Sequence, residues 1–103
     1  MNKQNSTDII WYDTNVYNAI TALDDKYPNA IPVFGGALGA FNALKVGDID
    51  RFEALMINAV DNAKFYKWHE SPAEVARRFC TICMVDPVLI EAGFGMRFEE
   101  VFA

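Results

Sequence analysis

Pro32 to Gly47 reads PVFGGALGAFNALKVG, and no other segment of the chain constrains the architecture as tightly. It holds one cation, Lys45, and one amide, Asn42; the rest is apolar or glycine. A helix of that composition is apolar almost all round and belongs inside a core. Its two sides differ. Phe34, Leu38 and Phe41, at i, i+4 and i+7, make a bulky ridge that should fill the core. Gly36, Ala40 and Ala43, with Gly35 and Gly39 beside them, make a stripe that another backbone can approach closely. Each interior glycine costs up to about 1 kcal/mol relative to alanine. Packing must therefore hold this helix, or it unwinds at Gly35-Gly36. Pro32 suits its first turn, and Gly47 suits a left-handed stop.

Upstream, Lys26 to Pro32 breaks the helical pattern, since Pro28 and Pro32 disfavour a helical residue before them. Before that break, Ile9, Tyr12, Val16, Ile20 and Leu23, with Ala19, recur at three-to-four spacing. They predict a helix over residues 8–25, capped by Ser6, Thr7 or Asp8. Met1 to Asn5 is a polar, frayed tail. Ile31 to Phe34 could form a short strand, but the proline argues against a central one.

Downstream, Asp48 caps a helix predicted to run to about Trp68. Its core face is Ile49, Phe52, Met56, Ala59, Val60, Ala63 and Tyr66, with Leu55 at the edge. Ser71-Pro-Ala-Glu74 is a capping box with proline at the first helical position. The helix it opens reaches about Val85, with Val75, Ala76, Phe79, Cys80, Ile82 and Cys83 inward and Arg77, Arg78 and Thr81 outward. Asp86-Pro87 repeats the device and starts a short helix that Gly93 should end. Phe98, Val101 and Phe102 say that the C-terminal residues dock on something. The expected fold is an all-α single domain over residues 1–103: a compact bundle of four main helices plus a short C-terminal one, with the glycine-rich helix central.

Composition narrows the function classes. The 103 residues suit one domain. The net charge is −5, and the acid is spread evenly: residues 1–51 carry 6 acids and 4 bases, residues 52–103 carry 8 and 5. With no basic stripe, direct nucleic-acid binding is not expected. No uninterrupted apolar run reaches the roughly 20 residues of a membrane span. The N-terminal residues MNKQNSTD lack the apolar segment of a signal peptide, and with two cysteines this points to a reducing, cytoplasmic setting.

Each candidate for chemistry has a structural explanation. Cys80-Thr-Ile-Cys83 is one C-x-x-C with one histidine, His69, short of the four ligands of structural zinc. Cys80 also lies too far from its helix N-terminus for a thioredoxin-type thiol, so the pair reads as core packing. His69, the single histidine, is expected to satisfy the last carbonyls of the preceding helix, and Ser71 is a cap rather than a nucleophile. Phe34-Gly-Gly-Ala-Leu-Gly39 lacks the Lys-Ser/Thr of a phosphate loop and the βαβ context of a dinucleotide site. No catalytic, metal or cofactor residue is therefore assigned.

What remains is surplus apolar surface. Ile10, Trp11, Tyr17, Ile57, Phe65 and Trp68 fall outside the simplest core stripes, with Asp61 beside the last three. Large apolar surfaces anchored by aromatic residues mark interfaces. Trp11, Tyr17, Ile57, Asp61, Phe65 and Trp68 are thus the expected partner-binding residues. The expectation is a non-enzymatic protein-binding module, an inhibitor or adaptor that docks on a larger protein with a basic surface. By analogy alone, such small acidic domains resemble phage- or plasmid-encoded proteins that block host defence or nucleic-acid machinery. The alternatives are a homodimer or larger self-assembly through helical faces, and a small enzyme or ligand-binding domain using His69.

Overall fold

Asp13 is the first residue that the computed structural model describes; it covers residues 13–103. Asp13 keeps an extended backbone, φ −75° and ψ 123°, while its carboxylate accepts a 3.0 Å hydrogen bond from the Val16 N–H. This N-cap starts α1, Thr14–Lys26. Among the described residues, the helix predicted over residues 8–25 thus starts at Thr14, where the short Asp13 side chain takes a backbone donor of the first turn. The predicted caps at Ser6, Thr7 or Asp8, and the core positions Ile9 and Tyr12, lie outside the described residues. Val16, Ile20 and Leu23 are buried as their spacing predicts.

The remaining helices are α2 (Ala30–Phe34), α3 (Ala37–Lys45), α4 (Ile49–Phe65), α5 (Pro72–Ile82), α6 (Pro87–Phe94) and α7 (Phe98–Val101). The described residues contain no strand, and the fold is all-α. Ile31 to Phe34 is helical instead. Pro32 sits third in α2, within the first turn where backbone donors lack helical partners, so its missing N–H costs little.

The glycine-rich segment is two helices that meet at Gly35-Gly36. Both glycines keep right-handed helical torsions, so the chain bends without reversing. The buried face of α3 is Ala37, Ala40 and Ala43. That corrects the expected orientation: the small residues point inward, and Leu38 and Phe41 are half-buried at the margin. Of the predicted ridge only Phe34, on α2, is fully buried. Close approach by α4 explains the orientation. The Leu55 methyls lie 3.9 and 3.7 Å from where a Cβ would stand at Gly36 and Gly39. The neighbour that the glycines admit is thus α4 of the same chain.

Helix α4 packs against α2, α3 and α5. Its N-cap is Asp48, which accepts from the Arg51 N–H. Phe52, Met56, Ala59, Val60 and Ala63 are buried, whereas Ile49 and Tyr66 at the ends of the expected face are exposed. The helix stops at Phe65, three residues before the predicted end. Lys67 adopts φ 55°, and the Trp68 N–H bonds back to the Ala63 carbonyl at 2.8 Å. This Schellman closure satisfies the carbonyls assigned above to His69.

The capping box at Ser71 and Glu74 opens α5 as expected. The helix ends at Ile82 rather than Val85, because Met84 takes φ 60° and the Val85 N–H closes onto the Cys80 carbonyl. Gly93 is inside α6; Gly95, with φ 72°, is the stop. Both α6 and α7 pack on α5, and Phe98 of α7 is fully buried. Arg77 and Arg78 are half-buried rather than simply outward, because each is held by a carboxylate.

Candidate functional site

Burial of Phe52, Met56, Ala59, Val60 and Ala63 leaves one long side of α4 facing away from the bundle. Arg51, Ala54, Ile57, Asn58, Asp61 and Phe65 share it at three-to-four spacing, and all are exposed. Phe65 is 77% exposed and Ile57 39%. The Phe65 ring meets only Tyr66 among the described rings, edge-on at 5.0 Å between centroids. An aromatic side chain held so openly on the helix side opposite the core has no packing role in the bundle.

Among the described residues, the charges of this side are equally unpaired. Ion pairs among the described residues join Arg77 to Glu91 and Glu99, Arg78 to Glu70, and Arg97 to Glu99, all in and around α5 to α7. Asp50, Arg51, Asp61 and Lys64 of α4 are exposed and take part in none of them. The face thus offers apolar groups, two carboxylates and two cations to a partner.

The other expected partner-binding residues are elsewhere. Trp11 lies outside the described residues. Tyr17 is 38% exposed on α1, a helix that packs chiefly on α2, α3 and α5. Trp68 is part of the fold. Its ring meets Phe34 at 5.4 Å and Tyr27 at 5.7 Å, and its Nε1 donates to Glu70 Oε1 at 3.0 Å. Glu70 also accepts from Arg78 Nε and Nη2 at 2.7 and 2.6 Å. These two bonds lower the Glu70 pKa against the opposing effect of burial, and in turn raise that of Arg78. Of the expected set, the structure brings together Ile57, Asp61 and Phe65.

Compared with protein-family models, curated proteins and solved structures, the chain matches none.

The residues weighed for chemistry each contact neighbouring groups of the fold. Cys80 and Cys83 are buried, and desolvation pushes both thiols up to about 12. Cys83 donates to the Ala37 carbonyl at 3.5 Å, and the Cys80 sulfur lies 3.9 Å from that of Met56. Among the described residues no group of three or more His, Cys, Asp or Glu side chains could hold a metal ion. The His69 ring stacks at 4.4 Å on Tyr27 and 4.7 Å from Trp68. None of the described helices is long and apolar enough to cross a membrane.

Sequence reasoning missed Arg51, Ala54 and Asn58, which complete the α4 face. Their three-to-four spacing was visible, but a search for surplus apolar residues passes over a face that is half polar. It also missed a second exposed apolar group, Val88 and Leu89 on α6 with Met96 after it.

Proposed function

We propose that this chain is a non-enzymatic protein-binding module, an inhibitor or adaptor that docks on a larger protein through the outward side of α4. The observation that carries this reading is Phe65, 77% exposed on the same side as Ile57 and Asp61. Interface energy concentrates in a few aromatic anchors ringed by polar groups, and Phe65 fits that role. The net charge of −5 favours a partner with a basic surface, since complementary charge speeds encounter. Two free, buried thiols suit a reducing, cytoplasmic compartment.

The test is affinity capture from the source cells with the wild-type protein and with Phe65→Ser, after circular dichroism has established that both are folded. Wild type should retain a specific protein that Phe65→Ser loses by tenfold or more. Equal recovery of that protein by both would rule out α4 as the docking element.

A further inference from the structure

We propose that residues 9–12, Ile-Ile-Trp-Tyr, lie over the exposed apolar group where α5 passes into α6 and cover Met84, Val88 and Leu89. The chain itself thus supplies the occupant of that surface, and Trp11 belongs there rather than to the α4 docking side. The inference holds whether or not α4 binds a partner.

The direction of α1 decides which part of the surface the run meets. Tyr27, at the C-terminal end of α1, stacks on His69 at 4.4 Å between ring centroids. His69 lies just before Ser71, the cap that opens α5. Further along, Lys26 and Ala19 of α1 line one groove with Arg78 and Ile82 of α5. The end of α1 therefore sits at the start of α5, and the two helices run antiparallel. With 13 residues α1 is about 20 Å long, and with 11 residues α5 is about 17 Å. Asp13, at the beginning of α1, is thus level with the end of α5, where Met84 turns the chain and Asp86-Pro87 start α6.

That end of the bundle carries the apolar group. Val88 is 64% exposed and Leu89 66%, and Met84 before them is exposed as well. Ile9 to Tyr12 lead directly into Asp13 and are the one uninterrupted apolar run in residues 1–12. Extended, four residues reach up to about 14 Å. Both α1 and α6 pack on α5, and this reach exceeds the roughly 10–12 Å diameter of a helix. The α4 side is out of range of the run. Phe65 lies at the other end of α1, three residues before Trp68, whose ring meets Tyr27 at 5.7 Å.

Apolar side chains on both parts gain by leaving water. The tether through Asp13 keeps the run at a high effective concentration over this surface. A group of three side chains is far smaller than the surface a separate protein needs for a stable complex. That favours a tethered segment over a free partner or a second copy.

Hydroxyl-radical footprinting of the full chain reads both sides of this contact, once circular dichroism has established that each variant is folded. In the wild-type protein Met84 and Leu89 should be oxidised slowly. Trp11→Ser should raise both rates severalfold while Phe65 reacts unchanged. Conversely, Leu89→Asp should raise the oxidation of Trp11 severalfold. Equal rates at Met84 and Leu89 in wild type and Trp11→Ser would overturn the proposal, as would a Trp11 rate that Leu89→Asp leaves unchanged. Protection of Met84 and Leu89 that grows with protein concentration would assign the surface to a second copy and overturn it too. The docking reading stands or falls separately, by capture with Phe65→Ser.

Discussion

The Asn62 side-chain amide donates a 3.1 Å hydrogen bond to the Pro32 carbonyl, tying α4 to the bend of the glycine-rich segment. A bend between two helices frees backbone acceptors, and this one is met by a side chain from the neighbouring helix. Asn62→Ala should therefore cost about 0.5 kcal/mol, the low end for a hydrogen bond because this one is exposed. Urea denaturation measures it. An unchanged midpoint would mean that water serves the Pro32 carbonyl equally well.

The glycines on either side of the bend should respond oppositely to alanine. At Gly39 a Cβ would meet Leu55 at 3.7 Å, an ordinary contact, and the better helix former should raise stability by up to about 1 kcal/mol. At Gly35 it would stand 2.7 Å from the Ile31 carbonyl oxygen, so something must shift and stability should fall. Thermal melts of Gly35→Ala and Gly39→Ala give the two signs.

Lys67 and Met84 hold left-handed torsions that favour glycine. Met84 is exposed, so little packing is lost when it is replaced. Met84→Gly should stabilise the protein by up to about 1 kcal/mol, with the gain reduced by the freer unfolded chain. A lower denaturation midpoint for this variant would contradict the account of how α5 ends.

The same two residues explain where the sequence misled. Caps were legible because their chemistry is local: Asp48, Ser71 with Glu74, and Asp86 each open a helix where they should. Ends were less so. Lys67 and Met84 close helices without being glycine, while Gly93 sits inside α6. The orientation of α3 was hidden because apolarity all round a helix does not say which side faces in. In the folded chain the alanines do: Ala37, Ala40 and Ala43 are buried. Trp68 looked like spare surface because its partners, Tyr27, Phe34 and Glu70, come from three different segments. That Ile57, Asp61 and Phe65 share one exposed side was legible because one helix carries all three.

The Glu70–Arg78 pair predicts an acid-sensitive contribution to stability. Arg78 holds the Glu70 pKa below its ordinary 4.5. A carboxylate lowered on folding adds stability above that value, and loses it as pH falls through 4.5 towards the native value. Glu70→Gln should therefore cost about 1 kcal/mol at neutral pH and progressively less in acid. Denaturation curves for both proteins across the acid range check the convergence; parallel curves would show that the pair is not coupled to folding.

Cys80 and Cys83, with thiols pushed up to about 12 by burial, should not react with a disulfide reagent at pH 8 in the native protein. Both should react at once in denaturant. Fast labelling of the folded protein would mean that α5 opens far more readily than its burial implies.

Hydroxyl-radical footprinting of the complex with the captured partner tests the central claim most directly. It reads the solvent exposure of Phe65 beside that of Val88 and Leu89, the other exposed apolar group. The account predicts that oxidation of Phe65 falls severalfold in the complex while Val88 and Leu89 react as in the free protein. Undiminished oxidation of Phe65, with protection moved to Val88 and Leu89, would place the interface on α6 and contradict it.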